Sequence, residues 1–193
     1  MSERGATSVA SFFMKPIEHF KDKHKGESCA VLGGGVSLPI DLRKIDPVDR
    51  LIGVNQHAMI LDLDYLVFRD RHMHQYVKDL RDVWLITQSN KFNDDNIVHA
   101  GIAPFIGYSG AFAIWVADYM GFDKIWICGM DQYDRKYDDR EYWWDGPQRH
   151  KGEGIDHKVC ASDLKLLKKF LDEQIKHPER VYFVSGRLKE LHQ

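Results

Sequence analysis

The sequence predicts an α/β protein in which a mostly parallel sheet is covered by helices on both faces. Short apolar runs alternate with helical patterns along the chain, and such runs are typical of parallel strands that are buried on both sides. The first of these runs, residues 28–32, breaks at three consecutive glycines. A long pattern near the C-terminus places four apolar side chains on one helix face, namely Leu164, Leu167, Leu171 and Ile175.

The order of the elements follows from these patterns. Residues 157–174 carry the leucine stripe, and Pro178 stands just beyond them, where a helix commonly stops. Residues 105–133 are the unit around which the chain is organised. An apolar helix there begins at Ser109-Gly110, and a buried strand ends in the polar segment 129–133, so both open ends are candidates for one site. The strands are expected at residues 28–32, 51–54, 65–68, 83–87, 97–100, 124–128 and 181–184.

The chain is long enough for one domain with a sizeable core, at 193 residues. We assign residues 1–27 to an N-terminal extension and residues 28–193 to a single domain. A short helix is expected at residues 12–20, with one apolar face formed by Phe12, Phe13, Ile17 and Phe20.

A long irregular stretch, residues 134–156, is interpreted as a lid, because it contains aromatic side chains that bare disorder lacks. Trp143 and Trp144 either stack on a sugar or base or fix this segment to the body of the protein.

Composition excludes some classes of protein. The net charge of −2 argues against a general nucleic-acid binder, which normally has a basic excess. The cysteines are odd in number and far apart, so Cys29 and Cys128 are expected to be buried thiols in a reducing compartment. No run reaches the roughly 18 apolar residues of a membrane span. We expect a cytoplasmic homo-oligomer, and a peripheral role at a membrane stays open.

Polar and glycine residues follow several predicted strands, where α/β proteins bind ligands. The glycines at residues 33–35 either let a ligand approach the backbone or form a plain tight turn, which Ser37 can cap. Asn55 and Gln56 either contact a base or sugar edge or begin a helix. His72 and His74 lack the spacing and companion ligands of a metal site, so no metal is expected.

Over about residues 28–191 the chain resembles the bacterial sialyltransferases of glycosyltransferase family 42. The resemblance is carried, in chain order, by the glycine loop from Gly33 to Leu38, Asn55-Gln56, Ser109-Gly110, Gly129-Met130-Asp131-Gln132-Tyr133 and His157. It implies that residues 28–193 are a nucleotide-sugar-binding domain. The chain is also similar, more distantly, to motility accessory factor and pterin diphosphokinase-like proteins. The resemblance implies a modified Rossmann-like fold and a metal-independent glycosyltransferase. The implied substrates are a CMP-activated sialic acid-like sugar and a glycan acceptor, without a further cofactor.

The resemblance also implies roles for individual residues. His157 corresponds to the general base, and Tyr133 stabilises the leaving phosphate. The family has a second tyrosine where this chain has Asp139, so Tyr137 is only a displaced substitute, and Gly34 stands where the family has asparagine. The implied nucleotide-binding residues are Gly33, Gly34, Gly35, Ser37, Asn55, Gln56, Ser109, Gly110 and Asp131.

Other readings of the same residues stay open. His157 is otherwise a surface or capping histidine, and Asp131 a loop-capping carboxylate. A diphosphokinase acting on a pterin with ATP would need magnesium, held by carboxylates such as Asp70 or Asp131. A non-catalytic nucleotide-binding protein of the same fold is the third possibility, because such sheets host many functions.

Overall fold

A computed structural model describes residues 15–55, 61–92, 94–104, 108–130, 157–186 and 188–189, with the backbone alone at residues 157–164. Eight strands of this part of the chain form one sheet, and all their pairings are parallel. The strands are β1 (Lys15–Pro16), β2 (Ser28–Leu32), β3 (Arg50–Val54), β4 (Tyr65–Val67), β5 (Trp84–Thr87), β6 (Ile97–His99), β7 (Lys124–Cys128) and β8 (Val181–Phe183). The α-helices are α1 (Leu38–Asp41), α2 (His74–Val77), α3 (Ser109–Tyr119) and α4 (His157–Gln174).

The order of the strands across the sheet is β1-β6-β5-β4-β3-β2-β7-β8. From β2 the chain moves outward in one direction as far as β6. It then crosses back through α3 to β7, on the other side of β2. The direction of winding therefore reverses at β2, which makes the carboxyl ends of β2, β3 and β7 the switch point of a Rossmann-like sheet.

Helices cover both faces of the sheet, so the predicted α/β fold is confirmed. One face packs against α3 and α4, whose buried residues include Phe112 and Leu167. The other face packs against α1 and α2 and the turn before α2, through Leu38, Val77 and Met73. Among the described helices, none combines the length and the apolarity that crossing a bilayer requires.

The seven strands predicted from the sequence are all present, whereas the edge strand β1 was not predicted. The strand 28–32 and the strand 124–128 have the predicted bounds, and the other predicted strands differ by one residue at an end. Cys29 and Cys128 are buried free thiols. Burial, and to a smaller extent the nearby Asp41, raise the pKa of Cys128 to about 12. In the predicted stripe Leu167, Leu171 and Ile175 are buried, whereas Leu164 lies outside the described side chains.

Residues 15–27, which the sequence analysis assigned to an N-terminal extension, pack against the rest of the protein. Lys15 and Pro16 form an edge strand on β6, and Ile17 and Phe20 lie in the core. Residues 17–20 form a single 3-10 turn rather than the end of a longer helix. Pro16 accounts for this, because its fixed φ suits an edge strand and it removes a backbone donor. Residues 15–27 therefore belong to the packed body of the protein, and residues 1–14 lie outside the described part.

A buried histidine ties this segment to the centre of the sheet. His24 stacks on Phe122 with ring centroids 4.5 Å apart. Its Nδ1 lies 2.8 Å from Glu27 Oε2 and its Nε2 lies 2.7 Å from the Tyr65 hydroxyl. The distances fit the tautomer in which Nδ1 donates to Glu27 and Nε2 accepts the Tyr65 proton. Burial raises the pKa of Tyr65 to about 12, which keeps that hydroxyl a donor.

Glu27 makes the stability of this network dependent on acid. Its pKa lies below the ordinary value, first because of the His24 hydrogen bond and then because of Arg50 Nε, 3.1 Å away. Because its pKa is lower in the folded state, the ionised Glu27 stabilises the protein above the unfolded-state pKa of about 4.3. This stabilisation is lost as the pH falls through the folded-state pKa. Glu27→Gln is therefore expected to lower the urea midpoint at pH 7, with the difference from wild type shrinking below about pH 4. An equal difference in urea midpoint between wild type and Glu27→Gln at pH 7 and at pH 3 would contradict this prediction. Glu173→Gln, at an exposed position, is the control.

Candidate functional site

The switch point brings three of the predicted motifs to one edge of the sheet. Leu32 of β2 is in register with Gly53 of β3 and with Cys128 of β7. The residues that follow these strands therefore emerge side by side, with strands about 4.8 Å apart. They are Gly33 after β2, Asn55 after β3 and Gly129 after β7.

The glycine loop after β2 is packed against the exit of β7. A Cβ on Gly33 would lie 2.3 Å from the Gly129 carbonyl oxygen and 2.9 Å from Met130 Cγ. The Gly33 N–H donates to the Cys128 carbonyl at 2.8 Å, and the Gly35 N–H donates to the Gly129 carbonyl at 2.7 Å. Gly33 is thus required by close packing, which supports the tight-turn reading at this position.

The same loop keeps donors for a ligand. Gly34 is half-buried, and its N–H has no hydrogen-bond partner among the described residues. The Val36 N–H is likewise without one in that part of the chain. Of the three glycine amides in this loop, only that of Gly34 is without a partner among the described residues, since those of Gly33 and Gly35 are bonded within the fold.

The start of α3 lies against the same edge. Ser109 and Gly110 are the first residues of the helix, as predicted, and Tyr108 occupies the N-cap position. A Cβ on Gly110 would lie 3.1 Å from Met130 Sδ. Met130 therefore fills the space between the glycine loop and α3. The first N–H groups of a helix have no partner within it, and together with its dipole they favour an anion.

Asn55, the first residue after β3, has an unusual backbone conformation. Its φ is +55°, in the left-handed region that asparagine tolerates better than most residues. The side chain is 8% exposed, and Oδ1 is buried without a hydrogen-bond partner among the described residues. A buried acceptor without a donor costs about 1–3 kcal/mol. A ligand hydroxyl or N–H at the switch point would remove that cost.

A buried carboxylate that the sequence analysis missed lies beneath the loop. Asp41 Oδ2 accepts from the Ser37 hydroxyl at 2.8 Å, from the Ser185 hydroxyl at 2.6 Å and from the Gly129 N–H at 3.0 Å. Ser37 is 1% exposed, and its side chain makes no capping bond to the α1 backbone. The structure therefore places Ser37 behind the loop, bonded to Asp41, and not at the surface where a nucleotide would lie.

The position of His157 follows from the direction of α4. The Lys176 N–H, just after α4, donates to Asp118 Oδ2 near the end of α3 at 2.8 Å. The two helices therefore end near each other, and both begin toward the carboxyl edge of the sheet. His157 is the first residue of α4, which has 18 residues against 11 in α3, so it lies further out than Ser109. Its side chain lies outside the described residues.

Several predicted site residues fall in parts of the chain that the structure does not describe. They are Gln56, Asp131, Tyr133, Tyr137 and the whole of the predicted lid, residues 134–156. Their roles stay predictions.

The two histidines of residues 72–74 have separate surroundings. His74 Nε2 lies 2.6 Å from Asp94 Oδ2, and its ring stacks on Phe92 at 4.1 Å. His72 is exposed. Within the described ranges, no group of three or more His, Cys, Asp or Glu side chains is arranged to hold a metal ion. His74 thus has a packing role between α2 and the segment before β6.

The sheet topology defines a Rossmann-like α/β protein. The carboxyl ends of β2, β3 and β7 form its candidate ligand site. Neither models of known protein families nor curated proteins give a match to this chain. The resemblance to family 42 sialyltransferases therefore rests on the motifs in the sequence.

Proposed function

We propose that the protein transfers a sialic acid-like sugar from a CMP-activated donor to a glycan acceptor without a metal ion. The observation that carries the proposal is a group of polar atoms at the switch point that have no hydrogen-bond partner among the described residues. The Gly34 N–H, the first N–H groups of α3 and the buried Asn55 Oδ1 surround the exits of β2, β3 and β7. This combination of anion donors and one buried acceptor suits a phosphate attached to a nucleoside.

The chemistry requires two kinds of help from the protein. The bond between the sugar and the phosphate oxygen breaks, and CMP leaves with the electron pair, so donors aimed at the phosphate stabilise the transition state. The Gly34 N–H and the start of α3 are such donors, and the resemblance adds the Tyr133 hydroxyl. The acceptor oxygen forms the new bond to the sugar and gives its proton to a base, the role implied for His157.

A thermal-shift comparison of cytidine, uridine, adenosine and guanosine nucleotides, each with and without magnesium, tests the donor class. CMP at 100 times its Kd is expected to stabilise the protein by about 2.7 kcal/mol. For a chain of this size that raises Tm by roughly 5–11 °C. The shift should be largest for the cytidine nucleotide and independent of magnesium. A shift with ATP that needs magnesium would favour the diphosphokinase instead, and binding of CMP without any transfer would favour a non-catalytic protein.

Asn55→Gly is the matched variant for this experiment. Glycine adopts the left-handed backbone conformation of Asn55 without strain, so the fold should keep its stability. The variant lacks the buried oxygen, so the shift caused by CMP should shrink. An unchanged shift would remove Asn55 from the site.

A further inference from the structure

We propose that Asp41 is a positioning residue that sets nucleotide affinity at the switch point, an inference that rests on the proposed function. Asp41 does not touch the ligand in this arrangement, because its side chain is fully buried. It acts through the backbone of the glycine loop and of the β7 exit. No feature of the motifs that resemble the sialyltransferases singled it out.

The carboxylate connects three parts of the chain that are distant in sequence. Its Oδ2 receives donors from Ser37 at the start of α1, from Gly129 after β7 and from Ser185 after β8. These partners lie 4, 88 and 144 residues away along the chain. An ionised carboxylate only accepts hydrogen bonds and has room for several, which suits this convergence.

The hydrogen bonds lead from Asp41 directly to the ligand edge. Asp41 holds the N–H of Gly129, which has a left-handed φ of +66°. The Gly129 carbonyl in turn accepts the Gly35 N–H at 2.7 Å. This chain of bonds fixes the loop in a conformation in which no described residue accepts the Gly34 N–H. Without Asp41 the Gly129 peptide loses the partner that holds its orientation. The glycine loop is then less well ordered, and the Gly34 N–H is no longer held toward the ligand.

Asp118 provides a matched control within the same protein. It is also a buried aspartate, 6% exposed. Its Oδ2 accepts from a backbone N–H, and its Oδ1 has no hydrogen-bond partner within the described part of the chain. It lies near the end of α3, whereas the candidate site lies at the start of that helix. Both carboxylates contribute to stability, and only Asp41 is connected to the site.

The experiment compares Asp41→Asn with Asp118→Asn by calorimetric titration of CMP at 10 °C, where destabilised variants remain folded. Asp41→Asn is expected to raise the Kd about tenfold, the effect of one charge-assisted hydrogen bond. Asp118→Asn should change it less than twofold while lowering Tm. Equal Kd values in wild type and Asp41→Asn would overturn the inference. If Asp41→Asn does not fold, Ser185→Ala replaces it, because this variant removes one of the three donors to Asp41. Ser185→Ala should also raise the Kd for CMP. An unchanged Kd in that variant would overturn the inference.

Hydrogen exchange of the Gly35 and Gly129 amides without ligand separates this inference from the proposed function. Both amides should exchange faster in Asp41→Asn, relative to global unfolding, and unchanged exchange would overturn the positioning role. If wild type binds no CMP, the proposed function fails, and exchange at these two amides alone decides whether Asp41 orders the edge.

Discussion

Gly33→Ala is expected to lower the free energy of unfolding by about 3 kcal/mol, the upper end of the usual cost of overpacking. The added Cβ would lie 2.3 Å from the Gly129 carbonyl oxygen and 2.9 Å from its carbonyl carbon. Both contacts are with backbone atoms, which move only if β2 and β7 separate. The Gly33 N–H bond to Cys128 would be strained by the same shift.

Gly26→Ala is the control, because alanine there has the energetic cost of a left-handed φ but no steric clash. Gly26 has a φ of +83°, and a Cβ there would meet nothing within 4 Å. Alanine at that position costs about 1–2 kcal/mol for its left-handed conformation alone. Urea unfolding of both variants measures the difference. A loss at Gly33 no larger than the loss at Gly26 would contradict the close packing of the two strand exits.

The outcome also bears on how the triple glycine should be interpreted. If Gly33→Ala is strongly destabilised without ligand, the sheet itself demands glycine at that position. A loss of nucleotide binding in such a variant would then say nothing about direct contact. Asn55→Gly is therefore a better probe of the site than any substitution of Gly33.

The parallel sheet could be predicted because its information is local. The predicted strands are short apolar runs, and glycine follows two of them directly, as in Ser28–Leu32 before Gly33 and Lys124–Cys128 before Gly129. The helix α3 begins at Ser109 and is followed by Gly121, whose φ of +83° is the usual helix-ending conformation. Periodicity and glycine positions determine these elements without knowledge of their neighbours.

The features that were not predicted depend on distant residues. Lys15 and Pro16 form a strand only because they lie beside Val98 and His99 of β6. Asp41 looks like an ordinary polar residue in sequence, and its importance comes from partners up to 144 residues away. A hydrogen-bonded buried carboxylate has no sequence motif, because its partners are set by the fold.

His157→Ala is expected to lower kcat for sugar transfer by about 10²–10⁴-fold, the usual contribution of a general base. The Kd for CMP should stay nearly unchanged, because the base acts on the acceptor hydroxyl and not on the nucleotide. The structure places His157 at the first position of α4, which begins toward the carboxyl edge of the sheet. Single-turnover transfer and CMP titration measure the two quantities separately.

His177→Ala is the matched control, because His177 lies just beyond the other end of α4, where it is half-exposed and pairs with Glu179 at 3.4 Å. It removes one imidazole from the neighbourhood of the same helix without approaching the ligand edge. Transfer should be unaffected in His177→Ala and slowed by about 10²–10⁴-fold in His157→Ala. Full transfer by His157→Ala would remove the base from the proposed mechanism, although CMP binding would still locate the nucleotide site. A parallel loss of CMP binding and transfer would instead indicate that His157 supports the donor pocket, which is a structural role and not a catalytic one.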